Sequence, residues 1–412
     1  MGASLAGLRA VEAARKSGFQ GTITLIGAEP HLPYDRPPLS KALLEGHGPA
    51  APPTFRTEAW LRGDLGVELV LGNPASALDT SSREVIVGDR GYGYDALVIA
   101  TGASARPLPG MGNRHGVRTL RTVEDALAIR AALDRGARTV VIGAGFIGSE
   151  VASAARRRGL PVTIVEAMAT PLVRAVGHTL GEACADLHTR NGTALRCGTT
   201  VAAIEGDGAV ERVRLNDGTV LHTDLVVVGI GAAPATTWLD GSGVPVDDGV
   251  LCDRTLFTGV PGVYAAGDVA RWHNPVYDRP MRLEHWTSAA EQGAAAAHNA
   301  VDPAAARAYS TVPYFWSDWY GSRIQFVGVP TADEIKIVTG ELGTERWTAL
   351  YREGNRLAGA LTLDGQTEIM KYRSLIMRGT SWSDALRFAG RRRTMSSDAG
   401  GSGSVELQQP PR

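Results

Sequence analysis

The sequence predicts an α/β fold built around two doubly wound units, and three observations carry that prediction. A glycine-spaced turn leading into an apolar-periodic helix, then into a strand that ends near a glutamate, occurs twice about 140 residues apart. Further apolar strands end on a glycine beside a small or acidic polar residue. The chain has 412 residues, 44% hydrophobic and 21% charged, which suits two or three globular domains with a large core.

The second unit is complete within "ARTVVIGAGFIGSEVASAARRRGLPVTIVEA". Residues 139 to 142 read as a buried strand, and Gly143, Gly145 and Gly148 follow as GxGxxG. Val151, Ala154 and Ala155 then recur at helical spacing, and the strand Val162 to Val165 ends on Glu166. The first glycine permits the tight turn, the second lets the backbone approach a pyrophosphate, and the third lets helix and strand pack closely. The phosphates would rest on the helix N-terminus, where N–H groups and the helix dipole favour negative charge. Glu166, 18 residues past Gly148, can accept both ribose hydroxyls and repel a 2′-phosphate. Ala167 and Met168 offer no arginine to receive one, so NADH is expected over NADPH.

The first unit is shorter. Gly2, Ser4 and Gly7 have the turn spacing, Leu8, Val11 and Ala14 the helix period, Ile23 to Ile26 the strand, and Glu29 the terminal acid. Only Met1 precedes the turn, where such a unit has a strand buried on both faces. Losing about five apolar residues at ~1.5–3 kcal/mol each would forfeit roughly 8–15 kcal/mol. The expectation is therefore a parent protein with an apolar strand upstream, and weak nucleotide retention by the chain as written. Two units predict two different dinucleotides, one resident and one exchanging. In "DALVIATGASARPLPG" a strand over 96–100 delivers Thr101 and Gly102, and in "VPGVYAAGDVARW" another delivers Gly267 and Asp268. Both are carboxyl ends of strands, where open α/β sheets bind ligands. The junctions "PLPGMGNRHG" and "GIGAAPAT", the latter holding Gly231, flank the second unit.

A net charge of −1 gives no global pull toward nucleic acid or anionic membrane. No apolar run is long enough for a bilayer and no secretory pattern is present, so a cytoplasmic protein is expected. Cys184, Cys197 and Cys252 form no CxxC motif and read as unreactive thiols, and no metal site is expected. Lysine is confined to Lys16, Lys41, Lys336 and Lys371.

The GxSxxG start, "YDRPPLSKALL", "ATGA", "GAGFIGSE", "GVYAAGDVA", "EHWTSAAEQG" and "VPYFWSDWYG" together resemble the NADH-dependent ferredoxin reductases, from Gly2 to about Ala389. These FAD flavoproteins supply electrons to bacterial P450s and ring-hydroxylating dioxygenases. The glycine turns are shared by all two-dinucleotide flavoproteins, whereas "RPPLSK", "EHW" and "YFWSD" point to this branch. The resemblance implies two Rossmann-like domains, an FAD domain of residues 1–112 and 240–312 with an NAD domain of 113–239 inserted in it. It also implies an α+β C-terminal reductase domain over 313–390 that covers the flavin. Residues 391–412 read as a disordered tail.

By the same resemblance, Gly2, Ser4, Gly7 and Glu29 hold the ADP half of FAD, Thr101 and Gly102 its pyrophosphate side, and Asp268 its ribityl chain. Arg36 and Lys41 fall in the segment that passes the isoalloxazine, with Lys41 near flavin N5 and Glu150 its carboxylate partner at the nicotinamide site. Taken alone, these two would read as a solvated lysine and an exposed helical glutamate. Trp286 matches the "EHW" position beside the ring and Trp316 the start of the C-terminal cover. The implied activity is NADH:ferredoxin oxidoreductase, in which the flavin converts a two-electron hydride donor into one-electron steps. Residues 36 to 60 contain no cysteine, so the electrons are expected to leave the protein rather than reduce a disulfide. The implied partner is an iron–sulfur ferredoxin, met by a monomer or weak dimer, with Arg378, Arg387 and Arg391 to Arg393 the densest basic group expected for docking. Two alternatives stand: another acceptor on the same scaffold (rubredoxin, oxygen, a nitrite reductase component), or a flavoprotein resembling apoptosis-inducing factor with little turnover.

Overall fold

β-branched runs buried on both faces build the sheet at the centre of the second unit. In the computed structural model, which describes residues 1–45, 53–110 and 114–399, its five strands are all parallel. Their order is Ala194–Arg196, Val162–Val165, Thr139–Ile142, Leu225–Val228 and Val117–Thr119. Every residue of Thr139–Ile142 and Leu225–Val228 is buried, as a sheet covered on both faces requires. Helices Val123–Asp134 and Phe146–Arg157 cover one face through Ala126, Ile129, Val151 and Ala155. The other face packs Val140, Ile142 and Val226 against Val213 and Leu215 of a small antiparallel sheet.

The first unit is assembled from distant segments. Ile23–Ile26 pairs in parallel with Val67–Val70, and Leu97–Ile99 pairs in parallel with Val263–Ala265. Met1 and Gly2 join these two pairs at one end. The Met1 amino group donates to Val98 O (2.8 Å), Ala100 N–H to Met1 O (2.7 Å) and Gly2 N–H to Ile26 O (2.7 Å). Among the described residues no strand lies between the two pairs. Helix Leu5–Lys16 packs on helix Trp286–Val301 so closely that a Cβ at Gly293 would sit 2.2 Å from Ala6 O. Ala103–Ala105 and Ala232–Pro234 pair antiparallel where the chain leaves and re-enters this unit.

The chain separates into two compact bodies, Met1–Gly321 and Ser322–Arg412. Both nucleotide units lie in the first body, which also includes strand Tyr314–Trp319, although the sequence places the C-terminal domain from 313. The junction expected near residue 112 lies outside the described residues. In the second body four antiparallel strands run in the order Ser322–Gly328, Arg356–Leu363, Trp347–Glu353, Glu334–Thr339. Helices Gln366–Met377 and Trp382–Ala399 accompany them, and Phe326, Trp347, Tyr351, Leu361, Ile369 and Tyr372 are buried. Of the tail expected over 391–412, the backbone of 391–399 continues the last helix, and 400–412 lie outside the described residues. Among the described residues no helix is long and apolar enough to cross a membrane.

Candidate active site

Backbone geometry fixes the second glycine turn first. Gly143 has φ +100°, and a Cβ there would meet Gly229 O at 2.4 Å, so only glycine fits the tight turn beside the neighbouring strand. A Cβ at Gly148 would meet Gly143 O at 2.1 Å, which is the close helix-to-strand packing the third glycine exists for. Gly145 is the N-cap of helix Phe146–Arg157, and no side chain caps that end, so its first N–H groups are left facing the turn. Glu166 closes the turn. Its carboxylate accepts from Ala144 N–H (2.7 Å) and Met168 N–H (2.8 Å), and with about four lone-pair sites it retains capacity for ribose hydroxyls. Gly231, at φ +104°, follows strand Leu225–Val228 and accepts from Arg106 N–H (2.9 Å).

The first turn repeats this plan. Gly2 has φ +113°, Ser4 is the N-cap of Leu5–Lys16 with no side-chain cap bond, and Gly7 lies against Gly2 O. Glu29 is half-buried and already engaged: it accepts from Arg36 Nη2 and from Tyr34 OH, both at 2.5 Å. Arg36 also donates to Arg121 O (2.7 Å). Arg36, expected along with Lys41 in the segment that passes the isoalloxazine, thus has its guanidinium on Glu29.

Arg121 is a residue that sequence reading missed. Its Nη2 donates to Asp268 (2.8 Å) and lies 3.4 Å from where a Cβ on Gly102 would be. Its backbone is held by the capping box Thr122–Asp125 that starts helix Val123–Asp134. The capping box was the available signal, since the residue before such a box projects from a rigid helix start. Asp268 sits in the turn Gly267–Val269 after strand Val263–Ala265, whose Gly267 N–H is held by Gln292 (2.8 Å). Thr101 hydroxyl donates to Ala235 O (2.9 Å), so it ties the inter-unit ribbon.

Lys41 and Glu150 meet, although 109 residues separate them in sequence. Pro37–Ser40 forms a short 3₁₀ turn, with the proline ring fixing φ at its start, and delivers Ser40 and Lys41 side by side. On helix Phe146–Arg157, Glu150 shares a face with Ser153 and Arg157. Lys41 Nζ lies 2.8 Å from Glu150 Oε2, and Glu150 is 3% exposed, which overturns the plain reading of a solvated helical glutamate. Ser40 and Ser317 hydroxyls donate to the same carboxylate, the latter at 2.5 Å. A cavity of about 210 Å³ opens beside the pair, bordered by Ser153, Arg157, Asp318 and Tyr320.

Trp286 and Trp316 also come together, edge to face with ring centres 6.5 Å apart, and Tyr314 stacks on Trp316 at 5.8 Å. Trp286 Nε1 donates to Asp35 (2.8 Å). Beside them His285 is half-buried with its Nδ1 enclosed and without a partner, and desolvation pushes its imidazole down to about 4. An orphaned buried nitrogen, two uncapped helix starts and a row of aromatic faces fit a flavin dinucleotide. The cysteines do not fit disulfide chemistry. All three are free thiols, and burial raises Cys184 and Cys252 to about 12 and Cys197 in the same direction.

The chain belongs to the pyridine nucleotide-disulphide oxidoreductase family, whose model matches residues 1–293, and a reductase C-terminal model matches residues 314–390. Within that family it is 36% identical to rhodocoxin reductase of Rhodococcus erythropolis, over 91% of this chain and 88% of that protein. It is 36% identical to the ferredoxin–NAD(+) reductase component of the anthranilate 1,2-dioxygenase system of Burkholderia cepacia, over 92% and 93%. The solved structure of the covalent putidaredoxin reductase–putidaredoxin complex superposes with a TM-score of 0.88 at 32% identity, covering 95% of this chain and 97% of that one.

Proposed function

We propose that this chain is an FAD-dependent oxidoreductase that passes electrons from NADH to an iron–sulfur ferredoxin serving a P450 or Rieske-type oxygenase. The observation that carries the reading is the ion pair between the partly exposed Lys41 and the buried Glu150, one residue from each nucleotide unit, in a protein whose three cysteines are all free and have raised pKa values that disfavour the thiolate.

Gly2, Ser4, Gly7 and the uncapped start of Leu5–Lys16 would hold the FAD pyrophosphate, with Thr101 and Gly102 alongside it. Glu29 would take the adenosine ribose, and Asp268, oriented by Arg121, the ribityl chain. Trp286 and Trp316 flank the ring. Gly143, Gly145, Gly148 and Gly231 would cradle NADH, with Glu166 on its ribose. Bound FAD supplies the conversion of a two-electron donor into one-electron steps. The protein's share is placement: Lys41 puts a positive charge where negative charge develops, and Glu150 keeps that charge in position. The chain acts in the cytoplasm as a monomer or weak dimer.

The test is NADH-driven reduction of cytochrome c by the flavin-loaded protein, with and without a purified [2Fe–2S] ferredoxin. A rate that depends on ferredoxin is expected. Equal rates without it, or hydrogen peroxide formation that accounts for all NADH consumed, would replace ferredoxin with another acceptor. Flavin bleaching too slow for turnover would favour an NADH-responsive flavoprotein.

A further inference from the structure

Strand Tyr314–Trp319 alternates strictly, with Phe315, Ser317 and Trp319 on its buried face. Ser317 is thus a fully buried hydroxyl between two aromatic neighbours, and both of its hydrogen-bonding capacities are used. Trp319 Nε1 lies 2.8 Å from Ser317 Oγ, and Ser317 Oγ lies 2.5 Å from Glu150 Oε1. An indole N–H can only donate, so the serine oxygen must accept it, and the single hydroxyl hydrogen is left for the carboxylate. The other oxygen of Glu150 takes Ser40 and Lys41.

Trp319 is itself immobilised. It is fully buried, and its ring stacks on His188 with centres 4.8 Å apart. His188 is held at both nitrogens, Nε2 by Ser149 Oγ (3.2 Å) and Nδ1 by Tyr320 OH (2.7 Å). Tyr320 OH also meets Thr193 Oγ1 (2.9 Å), and its backbone N–H donates to Ser153 Oγ (2.6 Å). That last bond is made at φ +55°, a left-handed conformation that costs a non-glycine residue energy and persists only where its surroundings enforce it.

We infer that Trp319 and Ser317 form a positioning clamp: the indole N–H aims the Ser317 hydroxyl at Glu150, and the fixed carboxylate in turn sets where the Lys41 ammonium stands. Ser317 and Trp319 are positioning residues that act through Glu150. The functional part rests on the proposed role of Lys41, but the clamp can be read without turnover, because the sequence has only three other lysines as internal references.

Ser317→Ala, Ser317→Thr, Trp319→Phe and Glu150→Gln are compared with wild type in the full chain, with and without FAD. Amine acetylation is followed by peptide mapping, and thermal midpoints are recorded. Lys41 labelling relative to Lys16, Lys336 and Lys371 is expected to rise at least about threefold in Ser317→Ala. It should rise less in Trp319→Phe and return to wild type in Ser317→Thr. Adding Ser317→Ala to Glu150→Gln should change nothing further, since both act on one carboxylate. Unchanged Lys41 labelling in Ser317→Ala, or additive effects in the double variant, would overturn the clamp. In flavin-loaded protein the limiting rate of reduction by NADH should fall about tenfold in Ser317→Ala with the apparent Kd for NADH unchanged. If that rate holds while Lys41→Met is slow, the clamp has no part in the reaction. If Lys41→Met is itself as fast as wild type, the reading of Lys41 falls and the labelling result still decides the clamp.

Discussion

Two carboxylates in this protein share a chemical type and do different work, because their donors differ. Glu150 meets an ammonium and two hydroxyls inside the fold, whereas Glu166 meets the backbone N–H groups of the turn that would hold a dinucleotide. If Glu166 reads the ribose as proposed, replacing it by alanine removes charge-assisted bonds worth about 1.5–3 kcal/mol, so kcat/KM with NADH should fall roughly tenfold or more. The preference over NADPH should narrow in the same variant, and further in Glu166→Arg. Equal use of both cofactors by wild type would remove Glu166 from this role. Lys41→Met should slow flavin reduction in stopped flow at least tenfold, about 1.4 kcal/mol of barrier, and leave FAD content unaltered. An unchanged rate would leave Lys41 as a structural partner of Glu150 with no part in flavin reduction.

At the scale of elements, the first nucleotide unit depends on one helix pair. Leu5–Lys16 and Trp286–Val301 touch backbone to backbone at Ala6 and Gly293, and the latter helix also carries Trp286 at its first residue and Gln292 on Gly267. A methyl at Gly293 cannot be accommodated 2.2 Å from a carbonyl oxygen, so the helices must separate. Gly293→Ala should destabilise by about 1–3 kcal/mol, the range for overpacking, and lower FAD occupancy through the displaced Gly267–Val269 turn. Urea unfolding and the flavin-to-protein absorbance ratio measure both. Retention of full stability would show that the helices have slack.

At the scale of the molecule, two desolvated histidines, His188 fully buried and His285 half-buried, make stability depend on pH. Burial pushes both His188 and His285 down to about 4, while an unfolded imidazole titrates near 6.5. Between those values the unfolded chain binds more protons than the folded one, so stability is complete above pH 6.5 and is lost as pH falls toward 4. The loss should reach about 2 kcal/mol per histidine at pH 5. Urea midpoints at pH 7 and pH 5 test it, and His188→Gln should remove roughly half of the difference. A flat profile would mean that the imidazoles find solvent. Docking of an acidic partner is also a property of the whole surface. Of the basic group singled out in the sequence, Arg387 pairs with Asp384 at 2.9 Å and remains exposed, while the side chains of Arg392 and Arg393 lie outside the described residues. If this group steers ferredoxin, neutralising Arg391 to Arg393 should flatten the fall of ferredoxin reduction with ionic strength and spare ferricyanide reduction. An unchanged salt profile would move the docking face elsewhere, with Arg323 the next candidate.

The sequence by itself determined what depends on neighbours in the chain. Strands Ile23–Ile26, Thr139–Ile142 and Val162–Val165 fall where β-branched runs placed them, and both glycine turns fall where spacing placed them. Such features are set by backbone sterics and short-range periodicity, which a linear reading contains. Composition argued for a disordered tail from residue 391, a stretch whose backbone is helical as far as Ala399. Tertiary structure alone decided the contacts between distant segments: Arg121 on Asp268, Arg36 on Glu29, and Ser317 between Trp319 and Glu150. A hydroxyl or guanidinium has no preferred partner until folding removes water from around it. Its donor count is written in the sequence, and the acceptor it must find is not.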